Sequence, residues 1–233
     1  MTPTTVLFDL DGTLLSTAAD LMTSLNHVLT RADIEPVTYS DMKWLVGQGA
    51  RVMIERAHAL RERTFTEAQM TEMTDLFFSH YSDSMPGETA PFPGLLEALD
   101  RLEAEGMRLG VCTNKPEGLS VKLLEGLGLL SRFHAVAGGD TFANRKPHRD
   151  HVLGAIAMAG GSAERAILVG DSITDILAAK NAGIPVIAVP FGYTDKPVET
   201  LGPDLVIAHF DELDGDLVRR VIAQGPAVSA TQA

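Results

Sequence analysis

The 233 residues contain one cysteine, Cys112. An internal disulfide framework and a multi-cysteine zinc site are therefore both excluded. Basic residues are also scarce: 19 lysines and arginines stand against 31 aspartates and glutamates, for a net charge of −12. A chain this acidic lacks the electrostatic footprint of a nucleic-acid binder and has no attraction to anionic lipid, so neither is expected as a partner. Long apolar runs are missing as well. No stretch nears the roughly 18 uncharged apolar residues that a membrane-spanning helix needs. The first apolar run is cut at Asp9 and has no basic flank, so it does not read as a secretory signal. A cytoplasmic location is expected. What remains, 45% hydrophobic and 21% charged residues, is the composition of a globular protein that can bury a large core. Monomer and homodimer are both left open.

Short apolar runs recur at 6–8, 109–112, 135–137, 166–169, 186–189 and 205–207. Near-continuous apolarity over three or four residues suits strands buried on both faces of a parallel sheet. Helical spacings lie between them. Leu95, Leu96, Leu99 and Leu102 form one set, Leu119, Leu123, Leu124 and Leu127 another, and a third helix fits between Asp171 and Gly183. The alternation predicts an α/β fold, a doubly wound, Rossmann-like parallel sheet with helices on both faces.

One segment breaks the pattern. Residues 15–90 carry helical periods and no convincing strand. Leu21, Leu25, Val28 and Leu29 share a face behind Thr17 and Asp20, which read as a capping box, and Met70, Met73, Phe77 and Tyr81 share another. About 75 residues between the first two strands far exceed an ordinary connection. The expectation is an inserted all-helical cap over 15–90, a catalytic core made of 1–14 and 91–224, hinges near 14–17 and 84–91, and a flexible tail over 225–233.

Ligands of open α/β sheets bind at the carboxyl ends of the strands, so the residues that follow each run are where chemistry is sought. After the first run comes Asp9-Leu10-Asp11-Gly12-Thr13, after the second Thr113-Asn114-Lys115, beyond the third Arg145-Lys146-Pro147, and after the fourth Gly170-Asp171 with Asp175 four residues on. Asp9 and Asp11 project to one side of an extended chain, and Asp171 and Asp175 share a helix face. Four converging carboxylates require a cation. An all-oxygen set with no histidine or cysteine selects a hard ion, Mg²⁺ rather than zinc. Carboxylates, Mg²⁺ and a lysine together suit a phosphoryl group. Taken singly, each feature has a plain structural reading: Asp171 as a helix cap, Asp11-Gly12 as a turn, Lys146-Pro147 as a solvated loop. Their coincidence at successive strand ends favours the functional reading.

These four motifs, in this order, resemble those of the haloacid dehalogenase superfamily phosphatases, and the resemblance runs from the first strand to about Leu213. Within that superfamily, Val46-Gly47-Gln48-Gly49-Ala50-Arg51, Thr113-Asn114-Lys115-Pro116, Val169-Gly170-Asp171-Ser172 and Phe191-Gly192-Tyr193 resemble the phosphoglycolate phosphatase branch. There are two departures. His148-Arg149 follows Lys146-Pro147 where the family has a second proline, and Leu15-Ser16-Thr17-Ala18 lacks an aspartate that many relatives carry.

The resemblance implies Mg²⁺-dependent hydrolysis of a small phosphorylated metabolite, 2-phosphoglycolate first among them, through an aspartyl phosphate on Asp9. It makes Asp11 the acid and then the base. Asp9, the Asp11 backbone carbonyl and Asp171 would hold the metal, with Asp175 binding directly or through water. Thr113 and Asn114 would orient phosphate oxygens, and Lys146 would neutralise charge and position Asp9. In the cap, Gly47 and Gly49 would allow a tight loop, and two readings of Arg51 stay open: it pairs with a substrate carboxylate, or it is a solvent-facing residue of its helix. Other small phosphomonoesters and pyrophosphate stay open as substrates, and so do two rival readings: a phosphosugar mutase resembling β-phosphoglucomutase, and a receiver-like binding module switched by phosphorylation of an aspartate. Cys112, Met70, Met73 and Phe77 are expected to pack rather than to bind, and Trp44 either packs in the cap or faces substrate.

Overall fold

The first apolar run forms β1 (Thr5–Phe8), wholly buried and central in a sheet of six parallel strands. In the computed structural model, which describes residues 2–41, 45–46 and 49–226, β1 is flanked by β4 (Arg108–Cys112) and β6 (Ala166–Gly170). Beyond β4 lies β5 (Ala135–Ala137). Beyond β6 lie β7 (Val186–Ala188) and β8 (Leu205–Val206), giving the order β5-β4-β1-β6-β7-β8. The chain winds outward from β1 in one direction through β4 and β5, and in the other through β6, β7 and β8. The order thus reverses between β1 and β6, which opens a crevice at their carboxyl ends.

Alternate strand residues feed two cores. Val6 and Phe8 join the cluster that receives α4 (Leu95–Ala104), α5 (Glu117–Gly126) and α8 (Gly215–Gln224). Leu7 joins the cluster that receives α6 (Arg149–Met158) and α7 (Ile173–Ala182) on the opposite face. The doubly wound sheet is as expected. In α4 the buried stripe is Leu95, Ala98, Leu99 and Leu102, while Leu96, rotated off that face, is 41% exposed.

Between β1 and β4 the described elements include α1 (Ala18–Arg31), α2 (Ala50–Leu60) and α3 (Glu67–Ser84), an all-helical insertion. The sequence reading found no strand there. Two very short ones exist, β2 (Leu15–Ser16) and β3 (Ala90–Pro91), which pair antiparallel where the chain leaves and re-enters the sheet domain. Two residues are too few to show a period. The capping box expected at Thr17 and Asp20 does not form, since Thr17 makes no side-chain cap bond. The Asp20 carboxylate instead accepts from the backbone N–H groups of Glu88 (2.8 Å) and Thr89 (3.0 Å), which ties the start of α1 to the return strand. A carboxylate shared by two backbone N–H groups, one of them buried, outweighs one local cap. Among α3 residues, Met70, Met73, Phe77 and Tyr81 form the buried stripe that their spacing predicts. Trp44 and Gly47 lie outside the described residues. No helix among the described residues is long and apolar enough to cross a membrane.

Candidate active site

Asp9 directly follows β1. Its backbone N–H still bonds to the Val169 carbonyl (2.9 Å), so the carboxylate is carried by the rigid edge of the sheet. Oδ1 of Asp9 accepts from the Leu10 N–H (2.7 Å) and from the Lys146 ammonium (2.9 Å). The chain then turns at Gly12, whose φ of +86° is a left-handed conformation. Any Cβ there would also sit 2.6 Å from Oδ2 of Asp171. Glycine lets the first motif press against the fourth.

Asp171 follows β6 and is 2% exposed. Both of its oxygens are held: the Thr13 hydroxyl donates to Oδ1 (2.7 Å) and the Tyr193 N–H donates to Oδ2 (2.7 Å). The N-cap of α7 is Ser172 rather than Asp171, and Asp175 completes the capping box. Oδ2 of Asp175 accepts from the Ser172 N–H (3.0 Å) and hydroxyl (2.6 Å), while Oδ1 accepts from Lys146 Nζ (2.6 Å). Lys146 is fixed from behind. Its N–H donates to Nδ1 of His151 (2.9 Å), and the Asn114 amide donates to its carbonyl (3.1 Å). The Asn114 Oδ1 is left buried without a partner.

Ligand atoms of Asp9, Asp171 and Asp175 therefore lie within 4.8 Å of one another, and one buried ammonium balances three buried carboxylates. The imbalance shows in their proton affinities. Burial, then the charge of Asp175, pushes Asp9 from 3.8 up to about 6, against the pull of Lys146. Burial and the charges of Asp175 and Asp9 hold Asp171 well above the ordinary carboxylate range. Burial works against the Lys146 ammonium, but Asp175 and Asp9 outweigh it and raise its proton affinity. The donors are all carboxylate oxygens and the site is short of positive charge. Such a set fits a hard divalent cation. Asp175 is the most committed of the three, its two oxygens accepting three hydrogen bonds where those of Asp171 accept two. Next to them, burial pushes the Cys112 thiol up to about 12, so this cysteine carries no thiolate at neutral pH.

The cluster opens into a cavity of about 50 Å³ between sheet and cap, walled by Asp9, Asp11, Thr113 and Asn114 below and by Leu21, Gly49 and Phe77 above. Phe77, read from sequence as packing only, both packs and lines the cavity. Gly49, with φ +91°, precedes α2 and reaches the wall. Arg51 does not. Its guanidinium donates to both oxygens of Glu67 (2.8 and 2.7 Å) and to Glu55 (3.1 Å), its side chain is 46% exposed, and it is not among the cavity residues. On α2 the residues that line the cavity are Ala50 and Met53, and Arg51 lies about 100° round the helix from Ala50, off that face.

Asp11 shares the cavity but stands apart from the three-carboxylate cluster. Both of its oxygens accept from the ammonium of Lys115 (3.0 and 3.1 Å), which also donates to the Tyr81 hydroxyl (2.9 Å). Lys115 is buried, yet Asp11 and Tyr81 outweigh that burial and raise its proton affinity. Sequence reasoning assigned no role to Lys115, Tyr81, Thr13 or Tyr193. The signal existed for three of them, since Thr13, Lys115 and Tyr193 all fall inside the motif runs.

The sequence model for haloacid dehalogenase-like hydrolases matches residues 6–189. A protein of Agrobacterium fabrum named phosphoglycolate phosphatase is 54% identical over 223 residues, covering 96% of this chain and 96% of its own length. One of Mesorhizobium japonicum with the same name is 50% identical over 217 residues, covering 93% and 96%. Among solved structures, a predicted phosphoglycolate phosphatase from Haemophilus somnus superposes with a TM-score of 0.84 at 28% identity, covering 94% of this chain and 98% of that one. On the ordered motifs, the parallel sheet with its helical insertion, and these matches, the chain belongs to the haloacid dehalogenase-like hydrolase family.

Proposed function

We propose that this chain is a Mg²⁺-dependent phosphatase that hydrolyses 2-phosphoglycolate to glycolate and inorganic phosphate. The observation that carries the reading is the position of Asp9. Its carboxylate sits at a strand end, beside one lysine and two further carboxylates, on the wall of a small cavity between sheet and cap. High identity to relatives named phosphoglycolate phosphatase supports the substrate.

Asp9, Asp171 and Asp175 are the residues that would hold Mg²⁺, joined by the Asp11 backbone carbonyl, and the ion when bound supplies the positive charge that lets a carboxylate approach a phosphate dianion. The rest falls to the protein. Asp9 forms a bond to phosphorus as the ester P–O bond breaks, which leaves an aspartyl phosphate. Asp11 passes a proton to the departing alkoxide, then takes one from the water that attacks the aspartyl phosphate, releasing phosphate and freeing Asp9. Thr113 and Asn114 orient phosphate oxygens. Lys146 keeps Asp9 aimed and offsets charge that builds on the phosphoryl group. Residues 15–90 work as a cap that turns about the paired residues of β2 and β3 and shuts bulk water out.

The test is phosphate release from 2-phosphoglycolate with Mg²⁺, with excess chelator, and with Asp9→Asn. Turnover in the first condition and none in the other two is expected. Undiminished turnover in chelator, or in the Asp9→Asn protein, would overturn the reading.

A further inference from the structure

The cavity has a second polar pole that the reaction itself does not use. Besides the carboxylates at its floor, it holds one cation among its described lining residues, Lys115, and one phenol, Tyr81. Lys115 comes from the loop after β4 and is 7% exposed. Tyr81 comes from the cap helix α3 and is 1% exposed. The ammonium of Lys115 has three N–H groups, and the structure commits all three: to the two oxygens of Asp11 and to the Tyr81 hydroxyl at 2.9 Å. Because Tyr81 accepts this bond, its own proton is left for another acceptor. The remaining walls facing the pair are apolar, from Leu21, Met53 and Phe77.

This arrangement has a consequence once Asp11 works as proton donor and acceptor. To reach the ester oxygen, Asp11 must leave Lys115, and a buried ammonium that loses its carboxylate is costly. The position is best filled by a second anion on the departing fragment, close to the ester oxygen because the space is small. An uncharged alcohol would leave Lys115 unpaired in an apolar pocket.

We infer that Lys115 and Tyr81 recognise the carboxylate of the leaving group, and that this pair selects short phosphorylated 2-hydroxy acids over uncharged esters of the same size. The inference rests on the hydrolase reading above and names its specificity device. It also replaces the role that sequence reasoning gave Arg51. Recognition is built from both domains, so only a closed cap brings the phenol to the ammonium.

The experiment compares kcat/KM for 2-phosphoglycolate and for 2-hydroxyethyl phosphate, which has the same skeleton with a hydroxymethyl group in place of the carboxylate. It uses the Mg²⁺-loaded wild type, Lys115→Met and Tyr81→Phe. Wild type is expected to prefer the carboxylate ester. In Lys115→Met both rates fall, since Asp11 loses its partner, but the preference ratio falls a further ~10- to 100-fold, chiefly through KM for 2-phosphoglycolate. Tyr81→Phe, a minimal change at a buried ring, should lower the same ratio by about 2- to 10-fold. Equal losses for both esters would show that Lys115 serves Asp11 alone and overturn the inference. So would a wild type with no preference. Failure of the wild type to release phosphate from either ester would instead overturn the hydrolase reading. If Lys115→Met does not fold, Tyr81→Phe decides by the same ratio.

Discussion

Three buried carboxylates around one ammonium make a site that is strained when no cation is bound, and Asp171→Asn exposes that strain. The side chain suits the substitution. An amide oxygen can still accept from the Tyr193 N–H, and the amide nitrogen can donate to the Thr13 hydroxyl, which needs only to turn. Both hydrogen bonds survive while one negative charge goes. For the neighbouring Asp9 alone, moving the carboxyl from 3.8 to about 6 corresponds to about 3 kcal/mol at 1.36 kcal/mol per pH unit. The sign follows from linkage. A carboxyl whose folded value is raised binds more protons folded than unfolded, so its contribution is fully present below about pH 4 and is lost as pH climbs through about 6.

In chelator at pH 8, Asp171→Asn should therefore be more stable than wild type, since the carboxyl it removes is held well above its ordinary range by burial and by the charges of Asp175 and Asp9. In a chain of this length each kcal/mol gained raises the melting temperature by roughly 2–4 °C. At pH 5 the gap should narrow, because Asp9, raised to about 6, is then largely protonated and Asp171, also raised, takes up its proton more readily as pH falls. Titrating groups remote from the cluster are common to both proteins and cancel in the difference, so what remains reports Asp171 and the neighbours it repels, Asp9 and Asp175. Adding Mg²⁺ should reverse the order at pH 8, since binding to the folded state raises the wild type more than a variant that has lost a ligand. Thermal melts of the two proteins at pH 5 and 8, in chelator and in Mg²⁺, are sufficient. A gap in chelator that does not change with pH, or an Asp171→Asn protein that melts below wild type at pH 8, would refute the account of the cluster.

Gly12→Ala should lower the melting temperature and also shrink the shift that Mg²⁺ produces. The left-handed backbone alone costs about 1–2 kcal/mol, and the new Cβ meets Asp171 Oδ2 and the Tyr193 ring. Arg51→Met should leave KM and kcat for 2-phosphoglycolate within about twofold of wild type, because its exposed ion pairs lie outside the cavity and are screened by solvent. A tenfold rise in KM would return Arg51 to the substrate.

Fold and candidate site differ in how far they could be read from the chain. The strands β1, β4 and β6 declare themselves by continuous apolarity, since burial on both faces leaves no polar position to confuse the pattern. Once those ends are placed, Asp9, Lys146, Asp171 and Asp175 follow, because topology alone brings strand ends together. The hinge strands could not be read. Two residues show no period, and the clamp by Asp20 joins positions 68 and 69 residues apart, beyond any local capping rule.

The cap side of the cavity was hidden for a different reason. Tyr81 sits on a packing stripe, and a stripe says which face is buried but not that its last member reaches the wall of a cavity. Lys115 carries the opposite disguise, because a lysine in a loop reads as solvated. Its burial depends on two partners, one from β1's loop and one from the cap, neither near it in sequence. Arg51 looked the better carboxylate ligand because guanidinium pairs with carboxylates in a two-point fork, and it does so here, with Glu67 of its own domain. Chemistry at strand ends is legible because the sheet places it. Specificity lies where two domains meet, and there the partner of each residue is set by packing that no single stretch of sequence records.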